Sequence, residues 1–143
     1  MKTARYGLRL SYTIILTLML SVFAVVANAA EFTARATGVT DGDTLTVLTG
    51  NNESLRIRLV EIDAPESDQP WGANAKQALS ALVLGQSVRV VSTGQDEYGR
   101  TLARIFVNGK DVNAEMVRTG SAWAYRHYLT DTSLLAMERD AQN

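Results

Sequence analysis

Short apolar and β-branched runs, each closed by a turn signal, fill most of the chain between Phe32 and Gly109 and confine it to a small strand-rich fold. Phe32 to Val39 is strand-like and meets the turn Asp41-Gly42. Thr44 to Leu48 follows and ends at Gly50-Asn51-Asn52, a strong hairpin signal. Leu55, Ile57 and Leu59 alternate with Arg56, Arg58 and Val60, which predicts a third strand with a mixed face. Pro65 and Pro70 bracket an irregular loop. Ala75, Ala78, Leu79 and Leu82 then fall at helical spacing, and Gly85 is placed to stop that helix. Ser87 to Val91 and Leu102 to Val107 read as a fourth and a fifth strand, with Asn108-Gly109 as the next turn. Asp111 can cap a short helix carrying Val112, Met116 and Val117 that ends near Gly120. Asp131 can cap a last helix with Leu134, Leu135 and Met137. Three strands, a helix, two strands and further helices suit a mainly β fold with α: a five-stranded Greek-key barrel of the OB type with about three helices.

The first 29 residues stand apart from this pattern. Lys2, Arg5 and Arg9 precede an uncharged apolar stretch from Ser11 to Val26, and Ala27-Asn28-Ala29 supplies a small-x-small cleavage pattern. They read as a signal peptide, and residues 30–143 as one exported domain, secreted or periplasmic. The alternative, a membrane anchor, rests on an apolar run near the length of a short span. There is no cysteine, so export brings no disulfide and the fold must rest on its core. Cleavage removes three of the fourteen Lys and Arg and none of the fifteen Asp and Glu, so the remaining domain is acidic. Global charge therefore does not draw it to polyanions, and any phosphate chemistry needs local cations and a metal ion.

Two segments carry carboxylates at strand ends. Asp41-Gly42-Asp43-Thr44 lies at the first turn, and Glu61-Ile62-Asp63-Ala64-Pro65-Glu66 where the third strand runs into a loop. Asp43 and Asp63 could give a hard cation such as Ca²⁺ two carboxylates and leave positions open for a phosphate oxygen and water. Asp is also favoured in such turns without any ligand. Strand parity sets a condition. Arg58 and Asp63 are five residues apart, so a straight strand would send them to opposite faces, and one shared site requires the strand to end or bulge between them.

Arg58 on the third strand and Arg100 before the fifth offer planar forks that match phosphate oxygens and stay charged. Glu66, three residues after Asp63, could accept a proton from a water attacking phosphorus. The bland alternatives are surface ion pairs for the arginines and a solvated loop acid for Glu66.

Taken in order, Asp41-Gly42-Asp43-Thr44, Arg58 to Glu66, Tyr98-Gly99-Arg100-Thr101-Leu102-Ala103, Val112 to Val117 and Ala124-Tyr125 resemble the thermonuclease (staphylococcal nuclease-like) family. The resemblance runs from about Phe32 to the C-terminus. It implies an OB-type barrel and a monomeric, sugar-non-specific endonuclease that uses Ca²⁺ and hydrolyses DNA and RNA to 3′-phosphate ends, with no stable protein partner. It implies Asp43 and Asp63 as metal ligands, with Asp41 as an acid behind them. Arg58, Glu66 and Arg100 would be catalytic, and Tyr98, Tyr125 and Tyr128 would bind the nucleotide.

The chain departs from the family pattern in three places. Ala64 stands where the type sequence has Thr. The second family tyrosine aligns to His127 without a gap or to Tyr128 with one, and Tyr128 is preferred because its ring can stack on a base. The last helix stops at Asn143 where relatives usually continue, which leaves a truncated helix and a naturally short chain as two readings. Either way the helix must depend on packing by Leu134 and Leu135. Two other functions remain open: a non-catalytic OB-fold module that binds nucleic acid, and an exported calcium-binding structural domain.

Overall fold

The computed structural model describes residues 30–143; the proposed signal peptide lies outside the described residues. Strands β1 (Glu31–Asp41), β2 (Thr44–Thr49) and β3 (Ser54–Leu59) form an antiparallel meander through the two predicted turns. The two-residue strand β4 (Ile62–Asp63) follows, then helix α1 (Gly72–Val83), and strands β5 (Ser87–Gln95) and β6 (Thr101–Val107). Asn108 and Gly109 both take positive φ, 49° and 77°, in the tight turn to β7 (Lys110–Asp111). That is the left-handed pair a two-residue hairpin loop demands, and Asn-Gly meets it at least cost. Helix α2 (Val112–Arg118), strand β8 (Trp123–Ala124), a 3₁₀ turn (Arg126–Tyr128) and helix α3 (Ser133–Ala141) complete the chain.

The strands run in the order β3-β2-β1-β5-β6, and a parallel pairing of β3 with β6 closes them into a five-stranded barrel. Closure removes the sheet edges. It also sets Ile57 opposite Thr101 and Arg58 opposite Leu102, so Arg58 and the residues just before β6 become neighbours. Leu45, Val47, Ile57, Leu59, Val88, Val90 and Ile105 fill the barrel, each fully buried. Ala75, Leu79 and Val83 of α1 pack into the same core, joined by Met116 and Val117 of α2 and Leu134 of α3. Among the described residues no helix is long and apolar enough to cross a membrane.

Strand β5 runs four residues beyond the predicted Val91. A bulge between Ser92 and Gly94 lets Gly94 and Gln95 pair with Leu102 and Thr101, although the polar run Ser92 to Gln95 has no apolar alternation to announce it. Asp111 caps α2 as predicted, accepting the Ala114 amide at 3.0 Å. Asp131 accepts the Ser133 amide and hydroxyl at the start of α3 and also bonds Arg104 at 2.8 Å.

Arg104 is a hub. Its guanidinium reaches Asp111 at 2.6 Å, Asp131 at 2.8 Å and Glu61 at 3.1 Å, tying β6, the turn after β3 and the start of α3 together. Removing it strands three partly buried acids beside one another. Arg104→Met is expected to cost about 2–4 kcal/mol, the lower range for breaking a buried ion pair because the hub is partly solvated. The midpoint of thermal unfolding should fall by on the order of 10 °C. A shift below about 2 °C would show that the network contributes nothing net.

Candidate active site

The catalytic side chains predicted from sequence converge because β3 stops early. After Leu59 the chain turns through Glu61, whose φ of 63° is unusual for a residue with a Cβ and costs about 1–3 kcal/mol of strain. The carboxylate of Glu61 holds the turn by accepting the Thr130 amide and hydroxyl at 2.6 Å and the Asp131 amide at 2.8 Å. Asn113, buried in α2, donates to the Val60 and Ala103 carbonyls and accepts the Ile105 amide, clamping the same segment to β6. Strand β4 then pairs with β8 in a separate two-stranded ladder, Ile62 opposite Ala124 and Asp63 opposite Trp123. The parity condition is met by this break, and Asp63 lies 3.0 Å from Arg58.

Arg58 sits at the centre. One terminal nitrogen donates to the Leu59 and Ile62 carbonyls. The other meets Asp63 at 3.0 Å and Asp43 at 3.3 Å, so a single point lies within hydrogen-bond reach of both carboxylates. Asp43 is 5% exposed. Its oxygens accept the Ala64 amide at 2.9 Å and the Thr44 hydroxyl at 3.0 Å, and its amide donates to Asp41. A backbone amide is what fixes Asp43 from the Ala64 side, so the Ala in place of the family's Thr leaves that contact intact.

Burial pushes the Asp43 carboxyl up to about 7; Arg58 opposes the rise, and hydrogen bonding and repulsion from Asp41 add to it. Burial likewise raises Glu66, helped by Asp41 and Asp63 and opposed by Arg58. Four carboxyl groups thus lie close together, with Arg58 paired to Asp43 and Asp63 alone, and their mutual repulsion favours a further cation. The donors are all oxygen, which suits a hard divalent cation. Among the described residues no group of three or more Asp, Glu or His side chains is placed to hold a metal ion. A cation held by Asp43 and Asp63 would take its remaining ligands from carbonyl, water or phosphate oxygens.

Three residues to which the sequence assigns no part in the site shape this cluster. A Cβ on Gly42 would stand 2.6 Å from that of Ala75 and 2.7 Å from that of Ala64, so glycine lets the aspartate turn seat against α1. A Cβ on Gly72 would stand 1.8 Å from the Glu66 carbonyl oxygen. Gln69 accepts the Glu66 amide at 2.9 Å while its own amide returns a bond to the Glu66 carbonyl. The loop backbone is therefore locked, and the Glu66 carboxylate is left exposed.

Beyond Arg58 lies a cavity of about 360 Å³ lined by Arg58, Glu61, Tyr98, Arg100, Tyr125 and Tyr128 among others. Asp96 sets its outer wall. It accepts the Tyr98 and Arg100 amides and binds Arg100 Nε at 2.7 Å, which leaves the two terminal nitrogens of Arg100 without a protein partner among the described residues. Arg100 also lies 5.5 Å from the ring centre of Tyr98. Tyr128 lines the cavity and packs edge-on against Tyr125 at 5.3 Å, whereas His127 stands outside the lining.

The family model described as staphylococcal nuclease homologue matches residues 56–143, from β3 to the C-terminus. The chain belongs to this family. An uncharacterized endonuclease of Haemophilus influenzae is 43% identical over 131 residues, covering 90% of this chain and 74% of that protein. A micrococcal nuclease of Shigella flexneri is 40% identical over 124 residues, covering 79% of this chain and 71% of its own. A staphylococcal-like nuclease of Arabidopsis thaliana is 38% identical over 90 residues, which is 63% of this chain and 28% of that protein. The barrel seen here is the one the resemblance implied.

Proposed function

We propose that the chain is an exported, monomeric, Ca²⁺-dependent nuclease that hydrolyses DNA and RNA and leaves 3′-phosphate ends. The observation that carries this reading is one arrangement: four carboxylates around Arg58 abut a tyrosine-lined cavity into which Arg100 also faces. Family membership supports nucleic acid as substrate and a metal as cofactor. The signal-like first 29 residues support export.

Asp43 and Asp63 would hold the Ca²⁺. When bound, the ion supplies Lewis-acid polarisation of a phosphoryl oxygen. The protein's own groups do the rest. Arg58 and Arg100 grip the non-bridging phosphate oxygens and stabilise the charge that grows as phosphorus becomes five-coordinate. Glu66 takes a proton from the attacking water. The new bond joins the water oxygen to phosphorus, the bond to the 5′-oxygen breaks, and that oxygen leaves as a hydroxyl after taking a proton. Tyr98, Tyr125 and Tyr128 hold sugar and base by stacking and hydrogen bonding. A module that only binds strands would have no use for an exposed acid near Arg58 and for an Arg100 whose terminal nitrogens stay unpaired among the described residues.

The deciding assay is release of acid-soluble nucleotides from single-stranded DNA and from RNA, in millimolar Ca²⁺ and in chelator, with end-group analysis of the products. A folded sample that releases none in Ca²⁺ overturns the reading. Gly72→Ala tests how Glu66 is placed. The added methyl must displace the Glu66 carbonyl, and a misplacement near 1 Å costs on the order of 100-fold in rate. Turnover should drop by about 10- to 100-fold in a protein whose circular dichroism is unchanged. Wild-type turnover in that variant would show that the loop tolerates the shift.

A further inference from the structure

A second cavity, about 670 Å³, opens beside Pro65, two residues after Asp63. Trp71 and Trp123 border it, with Pro65, Gln69, Asn74 and Ser121 between them, and none of its lining residues is charged. Trp71 is 76% exposed and Trp123 is 42% exposed. Large exposed apolar side chains are not scattered over this protein. Of the six among the described residues, five are aromatic, and all five border either this groove or the tyrosine cavity.

The two cavities share a wall, the β4–β8 ladder. Asp63 and Trp123 are register partners, so their side chains leave the same face, while Ile62 and Ala124 are buried and Ile62 borders the tyrosine cavity. Two residues along, Tyr125 faces the tyrosine cavity. Pro65, two residues after Asp63, faces the groove. Along the ladder Asp63 therefore lies between Pro65 at the groove and Tyr125 at the tyrosine cavity. Trp71 also holds a φ of 66°, which a residue with a Cβ adopts at a cost, while its indole covers almost nothing.

The geometry points to a second strand-binding subsite: the Trp71–Trp123 groove takes the bases of a single-stranded substrate on the side of the scissile phosphate opposite the tyrosine cavity. Indole faces stack on any base without reading sequence, and the amides of Gln69 and Asn74 and the hydroxyl of Ser121 supply hydrogen bonds that favour no one base. The absence of lining carboxylates spares the strand the repulsion that this acidic domain presents elsewhere. The inference rests on the proposal that nucleic acid is the substrate, but not on the chemistry of the acids.

The chain has two tryptophans, and both line the groove, so intrinsic tryptophan fluorescence reports on this place alone. Titration with a single-stranded dodecanucleotide in chelator should quench it saturably, while a nucleoside 3′,5′-bisphosphate, small enough for the tyrosine cavity alone, should not. In Ca²⁺, KM for the dodecanucleotide is compared with KM for a nucleoside nitrophenyl phosphodiester, which carries a single base. Trp71→Ala with Trp123→Ala should raise the ratio of the two by about 5- to 100-fold, the loss of one or two stacks. The paired Trp→Phe changes should restore most of it. Fluorescence that stays constant at oligonucleotide concentrations saturating cleavage overturns the subsite, as does an equal rise of both KM values. A fluorescence change on dilution of protein alone would assign the groove to a second copy of the chain and overturn it too. Quenching without cleavage would keep the subsite and sink the nuclease reading; cleavage without quenching would do the reverse.

Discussion

Arg58→Ala is expected to lower kcat by about 10³- to 10⁵-fold, the range seen when an arginine that stabilises a phosphoryl transition state is removed. KM should move far less, because substrate is also held by Arg100 and the tyrosines. The size follows from the geometry. Arg58 faces Asp43 and Asp63 on one side and lines the tyrosine cavity on the other, and one of its terminal nitrogens is fixed by the Leu59 and Ile62 carbonyls. The guanidinium is thus already placed at the site, and a phosphate would take over donors now shared with Asp43 and Asp63. A structural cost accompanies the catalytic one. Without the guanidinium, buried Asp43 faces Asp41 and Asp63 with no counter-charge, and loss of one partner of a buried pair costs about 3–5 kcal/mol. Arg58→Lys separates the two effects, since it keeps a charge near the acids but cannot present two parallel N–H groups. Lysine should recover most of the unfolding midpoint and yet remain on the order of 10²-fold or more below wild type in kcat. Lysine activity within tenfold of wild type would reduce the role of Arg58 to charge balance.

The barrel was legible because its local signals agree with one another. Alternation in Leu55 to Leu59, the Asn108-Gly109 turn and the Asp111 cap each name their element, and none is contradicted by tertiary packing. The site was legible only as a set of residues. That Arg58 and Asp63 share one face depends on the positive φ of Glu61, and nothing local predicts it: Glu61 is held there by amides of residues 130 and 131, some seventy positions away. The parallel closure of β3 on β6 is likewise a long-range pairing with no turn to mark it, yet it is what brings Arg58 beside Arg100. Gly42 reads as an ordinary turn residue, and Gly72 carries no signal in the sequence. Their meaning, room for Ala75 on one side and for the Glu66 carbonyl on the other, exists only once α1 is docked. Trp71 and Trp123 are fifty-two positions apart in a chain whose apolar residues mostly go inward, and only the fold shows them bordering the same groove.

Glu66→Gln should reduce kcat by about 10²- to 10⁴-fold with KM and the unfolding midpoint nearly unchanged, the expected loss when a positioned general base becomes a neutral amide of the same shape. Stability is spared because the side-chain partner of Glu66 is another acid, Asp41, while Gln69 and Gly72 anchor the loop through its backbone, and those contacts survive the change. The environment suits a base. Burial, with Asp41 and Asp63 nearby, raises the carboxyl above its ordinary value of 4.5, which makes the ionised form a better proton acceptor than a free carboxylate. A base acts only when deprotonated, so at saturating Ca²⁺, which would keep Asp43 ionised despite its own raised value, kcat should rise with pH as Glu66 ionises, on a limb lying above 4.5, and should level off beyond it. In the glutamine variant the residual rate should lose that limb, because the group that titrated is gone. Two results together would remove Glu66 from the mechanism: a variant within tenfold of wild type, and an acidic limb still present in it. The proton would then have to leave the attacking water for solvent, and the exposed acid at position 66 would serve only to orient that water.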